Sequence, residues 1–277
     1  MYNFCFKYVL YLNLEEPTER NRKINSLRLL QNISIMKKEA LYKTLAKYYD
    51  LIYTFKDYKK EVTEITKLIK EYKLSSGNQL LDVACGTGSH LEFFVDDFDC
   101  LGVDLNPEML EVAKEKVPKA KFLEADMINL NLEQKFDAIV CLFSSIGYVK
   151  TEENLRKTIA GFTNHLEKGG VVIIEPWLTK EIYRSGSPHM VTYHGDNTKI
   201  ARVSVSELKD ENISYFEMHF LIAEANKQVL HFVDKHELAM FPIDLQLEIM
   251  NENGLKANHH KKGIFDDRGL LIGQKLE

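Results

Sequence analysis

The chain has 277 residues, 45% hydrophobic and 28% charged, which suits one elaborated domain or two small ones and supplies apolar material for a full core. A net charge of −5 argues against nucleic acid as an obligatory partner, and no apolar stretch reaches the ~20 residues that span a bilayer, so no membrane partner is expected. Among the cysteines Cys5, Cys85, Cys100 and Cys141 no two stand at C-x-x-C spacing, so no metal is expected, and a reduced, cytoplasmic chain fits best.

Residues 1–35 come first and differ from the rest. The apolar run Tyr2–Leu12 is interrupted by Lys7, follows no basic segment and precedes no small-residue cleavage site, so it does not read as a signal peptide. The polar stretch Glu15–Asn25 follows. This segment is expected to be an extension, disordered or supplied by a gene start placed too early, with a lid or dimer arm as the alternative. Met36 opens a more regular stretch.

From Glu61 to Tyr72, Val62, Ile65, Leu68 and Ile69 recur at helical spacing, and Ser75–Asn78 makes the turn into a first strand. An alternation then begins. Strand Gln79–Ala84 leads through a glycine loop to a helix around Ser89–Val95. Strand Cys100–Val103 leads to a helix around Pro107–Lys116, with Asn106 as N-cap and Pro107 in the first turn. Strands Lys121–Glu124 and Ala138–Phe143 follow, then a helix around Glu152–Glu167, a cap at Gly169-Gly170, and strand Val171–Glu175. Such alternation means right-handed βαβ units and a parallel sheet, and the runs Ala138–Leu142 and Val171–Ile174 are apolar on both faces, as central parallel strands are. After Pro176 the period becomes two. Ala201–Ser206, Tyr215–Phe220 and Val229–Leu238 read as a three-stranded antiparallel meander. A helix near Asp244–Asn253, a stop at Gly254 and strands near Leu255–His259 and Leu270–Gly273 complete the chain.

The chemistry gathers at the strand ends. In Asp82-x-x-x-Gly86-x-Gly88 a strand's carboxyl end meets a helix start, and the two glycines let backbone N–H groups approach an anion or carboxylate. S-adenosylmethionine (SAM) has a methionine carboxylate to place there. Asp104, at the end of the second strand, suits both ribose hydroxyls. Asp126 suits an adenine amino group, with Met127 packing on the ring. Ser144, Ser145 and Tyr148 emerge after the fourth strand, where the transferred methyl belongs. A nicotinamide dehydrogenase would carry a third glycine where this chain has Leu91.

These residues resemble the class I SAM-dependent methyltransferases. The segments Tyr48–Tyr53, Leu81–Glu92, Phe143–Tyr148, Gly170–Trp177 and Arg268–Leu270 are similar, more narrowly, to the nucleotide-sugar amine N,N-dimethyltransferases of deoxyamino-sugar biosynthesis. The likeness implies an α/β, Rossmann-like fold: a mainly parallel sheet flanked by helices, with an inserted antiparallel β-meander. It implies that Gly86, Gly88, Asp104, Asp126 and Met127 hold SAM. Asp82, Ala84, Leu105, Met109 and Phe143, in the same loops, complete the expected cofactor set. It implies further that Tyr49, Tyr53, Tyr58, Tyr148, Trp177 and Arg268 line the acceptor side. The family's second aromatic after Glu-Pro-Trp is Leu178 here, and Asp266 and Asp267 add acid before Arg268.

The expected division is an extension at 1–35, a SAM-binding core at 36–177, a β insertion over the acceptor at 178–240, and a helix and strands completing the sheet at 241–277. Methyl transfer asks chiefly for alignment and exclusion of water. Tyr148, His219 and Glu175 are the candidates for orienting or deprotonating the acceptor. Arg268 is a candidate for an anionic part of it, or a surface ion pair with Asp266 or Asp267. The readings that remain are N-methylation of a small molecule such as a nucleotide-linked amino sugar, methylation of a protein or RNA, and a SAM-binding protein without catalysis. A homodimer is compatible with all three.

Overall fold

The alternating half of the sequence builds one seven-stranded sheet in the computed structural model, which describes residues 46–264 and 267–276. The expected extension at 1–35 lies outside the described residues, as does Asp266. All described residues belong to one compact unit.

Residues 46–52 are helical. Helix α1 (Tyr58–Tyr72) begins at Asp57, whose carboxylate accepts from Lys60 N, and buries Val62, Ile65, Thr66 and Ile69. Strand β1 (Gln79–Val83) follows a turn that Asp137 fixes by accepting from Gly77 N and Gln79 N at 3.1 and 3.0 Å. Then come the short α2 (Leu91–Phe94), β2 (Asp99–Asp104), α3 (Pro107–Lys116), β3 (Lys121–Glu124), β4 (Phe136–Cys141), α4 (Glu152–His165) and β5 (Leu166–Ile174). Asn106 caps α3 as expected, accepting from Met109 N at 3.0 Å. The second half holds β6 (Pro188–His194), β7 (Thr198–Leu208), β8 (Ile213–Glu224), β9 (Leu230–Ala239), α5 (Ile243–Glu252), β10 (Leu255–His260) and β11 (Leu270–Lys275).

The large sheet runs β10-β11-β5-β4-β1-β2-β3. Its central pairs are parallel, and only β11 runs against its neighbours. Every residue of β4 is buried, and one apolar cluster packs on each face of the sheet. Each fully buried aliphatic side chain there contributes about 1.5–3 kcal/mol. From β1 the chain steps to β2 and β3 on one side and then to β4 on the other. The crevice for a ligand therefore opens between the carboxyl ends of β1 and β4.

Two expectations need correction. Gly169 has φ +78°, but α4 has already ended at His165, and Leu166 turns extended to begin β5. Gly169 instead meets the chain entering β1: its carbonyl accepts from Leu74 N and Ser75 N, and a Cβ there would stand 2.9 Å from Ser75 N. The inserted sheet has four strands, β6-β7-β8-β9, all antiparallel, rather than three. β6 escaped the sequence pattern because it is an edge strand with none of its seven residues fully buried, so little apolar alternation marks it. The inner face of this sheet, at Ile200, Phe220, Ile222 and Phe232, packs with Tyr48, Ile52 and Tyr53.

Candidate functional site

The backbone is strained where β1 and β4 end. Ala84, Phe143 and Ser144 have φ of 58°, 54° and 61°, a region costly for residues with a Cβ, and two of the three are at the foot of the crevice. Both ends are tied down. Glu175 accepts from Phe143 N at 2.7 Å, and Ser144 Oγ donates to the Pro176 carbonyl at 3.0 Å. Asp104 receives Gly86 N at 2.8 Å on one oxygen and Asn106 N at 2.9 Å on the other, which couples the glycine loop to the end of β2. Burial raises the Asp104 carboxyl, and those backbone N–H groups oppose the rise.

A cavity of about 490 Å³ opens here. Of the expected cofactor set it is lined by Asp82, Ala84, Gly86, Asp104, Leu105, Met109, Asp126, Met127 and Phe143; of the expected acceptor set, by Tyr49, Tyr58 and Tyr148. Asp126 also caps the turn after β3, accepting from Ile128 N at 2.9 Å. Asp82 is the telling residue. It is 2% exposed, burial and the nearby Asp104 push its carboxyl well up, and its Oδ2 has no hydrogen-bond partner among the described residues. A buried acceptor oxygen at a cavity wall is costly until a donor arrives. The α-ammonium of a bound amino acid moiety is such a donor, so the residues present fit SAM.

Other expected residues stand behind the cavity wall. Gly88 faces Ala113 of α3, which a Cβ would approach to 3.2 Å. Tyr53 is buried against Phe143, edge to face at 5.1 Å, and its phenol accepts from Arg202 at 2.7 Å. Glu175 is fully buried and acts on Phe143 rather than in the cavity. Trp177 Nε1 donates to Ser214 Oγ at 2.8 Å. Arg268 donates to Ser144 Oγ at 2.9 Å, pairs with Asp267 at 2.8 Å and lies 5.4 Å from the Trp177 ring. Of the two expectations for Arg268, the ion pair with Asp267 is present, and the same side chain also braces the strained corner at Ser144.

His219 does not reach the cavity. It is opposite the exposed Val203 in register, on the outer face of the inserted sheet, and stacks on His231 at 5.6 Å. Strand alternation sends its neighbour Phe220 inward instead.

The sequence reading missed two groups. Asp50 accepts from Thr87 Oγ1 at 2.6 Å and Ser89 Oγ at 3.2 Å, and pairs with Lys116 at 2.5 Å, so residues 46–52 grip the glycine loop and α3 together. Asp234 and His236 of β9 line the cavity. Tyr148 Oη lies 2.6 Å from His236 Nδ1, and His236 Nε2 lies 3.0 Å from Asp234 Oδ2. A signal was available for these two: they occupy the inward positions between Phe232 and Leu238 on a strand whose inward face is otherwise apolar.

The profile of the methyltransferase domain family matches residues 80–170. A dTDP-3-amino-3,4,6-trideoxy-alpha-D-glucopyranose N,N-dimethyltransferase of Streptomyces venezuelae is 38% identical over 82% of this chain and 96% of its own. A dTDP-3-amino-3,6-dideoxy-alpha-D-glucopyranose N,N-dimethyltransferase of Streptomyces fradiae is 31% identical over 83% of this chain and 90% of its own. Among solved structures, DesVI of Streptomyces venezuelae superposes with a TM-score of 0.77 at 38% identity, covering 82% of this chain and 97% of its own. SAM-bound CalS10, an amino pentose methyltransferase, superposes with a TM-score of 0.71 at 28% identity, covering 79% and 92%.

Proposed function

The chain belongs to the class I SAM-dependent N-methyltransferases of nucleotide-linked amino sugars, and from that premise we propose that it adds two methyl groups in succession to the amine of a dTDP-linked deoxyamino sugar. It is an enzyme that methylates an amine with SAM. What supports this acceptor is the cavity's two ends: Gly86, Asp104 and Asp126 at one, and Tyr148, Asp234 and His236 at the other, within a single space.

In this reading the glycine loop, whose Gly86 N–H is spent on Asp104, takes the donor's carboxylate on its remaining N–H groups, and Asp82 Oδ2 takes its ammonium. Asp104 takes the ribose hydroxyls, and Asp126 with Met127 takes the adenine. SAM supplies an electrophilic methyl on a cationic sulfur. The protein's part is alignment: the reacting nitrogen must come within ~3–3.5 Å of the methyl carbon, with water excluded. Phe143, held in its strained conformation by Glu175, forms the floor between the two ends. Tyr49 and Tyr58 cover the space from the N-terminal side, and burial keeps both phenols un-ionised. Tyr53, Trp177 and Arg268 shape the acceptor wall from behind.

The proposed division is a donor-holding core at 36–177, an acceptor-covering insertion at 178–240 and a sheet-completing end at 241–277. A small molecule is the proposed acceptor, with no nucleic acid, in the cytoplasm. No described helix is long and apolar enough to cross a membrane. Met190, Val203 and Leu221, exposed on the outer face of the inserted sheet, support a homodimer, which light scattering on the purified chain would detect.

The deciding experiment is an acceptor screen with methyl-labelled SAM, read by mass spectrometry. Two methyl increments on a dTDP-linked amino sugar are expected. Transfer only to peptides or RNA would overturn the reading.

A further inference from the structure

Methylating an amine raises a proton problem that the donor end does not solve. The acceptor amine is an ammonium at neutral pH, and its nitrogen has no lone pair until a proton leaves. After the first methyl is added, the nitrogen is cationic again and must lose another proton before the second. A route for that proton has to be available at each turn.

Resting on the function read above, we propose that Tyr148, His236 and Asp234 form a proton relay from the acceptor amine to solvent. The three lie in series. Tyr148 Oη stands 2.6 Å from His236 Nδ1, and His236 Nε2 stands 3.0 Å from Asp234 Oδ2. All three line the cavity, and Tyr148 is 42% exposed into it. The pairing fixes the tautomer: a carboxylate only accepts, so Nε2 carries the hydrogen and donates to Asp234, leaving Nδ1 to accept from the phenol. The ring cannot swing away, because it stacks on Phe216 with centroids 5.2 Å apart and planes 24° apart.

The step balances without any further reactant. The ammonium N–H bond breaks and its proton goes to Tyr148 Oη, while the phenol's own proton passes to His236 Nδ1. The imidazolium so formed is paired with the Asp234 carboxylate. The lone pair left on nitrogen bonds the methyl carbon, whose bond to sulfur breaks with its electrons staying on sulfur. The imidazolium then releases its proton to water, and the relay is ready for the next turn. Tyr148 is the group that meets the amine, and His236 and Asp234 act through it as positioning residues. The ionisable groups around them are Tyr49, whose phenol interacts with that of Tyr148, Tyr53, which interacts with Asp234, and Arg202, which donates to Tyr53 at 2.7 Å. Lys235, between the two relay residues on β9, also contributes to the cavity lining, and its ammonium pairs with Glu217 at 2.6 Å.

The test compares kcat against pH for the wild type, His236→Asn, Asp234→Asn and Tyr148→Phe with a dTDP-linked amino sugar, alongside SAM binding by calorimetry. A positioned base contributes roughly 10²–10⁴-fold. The expected result is a loss of at least about tenfold at pH 7 that closes as pH rises and the amine deprotonates unaided, with SAM affinity unchanged. A loss equal at every pH, or profiles parallel to the wild type, overturns the relay while amine methylation by the wild type stands. A wild type that binds SAM yet methylates no amine overturns the function and the relay together.

Discussion

At the scale of single residues, Asp104 carries the most. Its two oxygens hold Gly86 N and Asn106 N, so it both shapes the glycine loop and faces the cavity. Hydrogen bonds to a charged group are worth about 1.5–3 kcal/mol each. Asp104→Ala is therefore expected to weaken SAM binding by at least about tenfold by calorimetry, with the far-ultraviolet circular dichroism of the fold retained. Undiminished affinity would remove Asp104 from the donor site. This residue was legible in the sequence because it ends a strand next to a loop with a recognisable spacing. His219 and His236 were not distinguishable that way. Both sit on alternating strands, and only the β8–β9 register decides that one faces solvent and the other the cavity. A period of two gives the alternation of faces but does not say which face is inside.

At the scale of elements, the contact between β9 and the turn at Ser145–Val149 joins the inserted sheet to the core. Gly147 permits it: a Cβ there would stand 3.0 Å from Leu238 Cβ and 3.2 Å from Trp177 Cβ. Gly147→Ala must push β9 outward and separate Tyr148 from His236. The expected outcome is a fall in kcat/KM for the acceptor of about tenfold, with SAM affinity within about twofold of the wild type; equal losses for both ligands would mean that the turn supports the whole cavity rather than one end. The core elements were readable because parallel strands and amphipathic helices leave periodic apolar traces, and α3 and β3 fall where the pattern puts them. β6 left little trace because none of its seven residues is fully buried and only Val191 and Tyr193 pack, half-buried, on the inner cluster. The grip of residues 46–52 on the glycine loop was also invisible, since it depends on Asp50, Thr87, Ser89 and Lys116 meeting across long sequence separations.

At the scale of the whole molecule, one buried carboxyl ties stability to pH. Burial pushes Glu175 up to about 7 from 4.5, against the pull of Lys56, Arg268 and the Phe143 N–H. A group whose folded value is raised binds its proton more tightly folded than unfolded. Its stabilising share is complete below pH 4.5 and is lost as pH rises through about 7. Urea unfolding is expected to show stability falling by up to about 3 kcal/mol across this window, and Glu175→Gln, which keeps an acceptor for Phe143 N–H, to flatten that fall. Identical slopes in the two proteins would count against the raised value.

The inserted sheet has one more consequence. Residues 188–239 leave after β5 and return just before α5, so both seams lie on the core. The wall they give the cavity comes from β9, while Asp82, Gly86, Asp104 and Asp126 all lie upstream of the first seam. A crossover at the two seams would replace that wall and leave those four residues untouched. Such an exchange is expected to alter which acceptor fits, through the β9 wall, while Tyr49, Tyr58 and Tyr148 stay with the donor residues upstream.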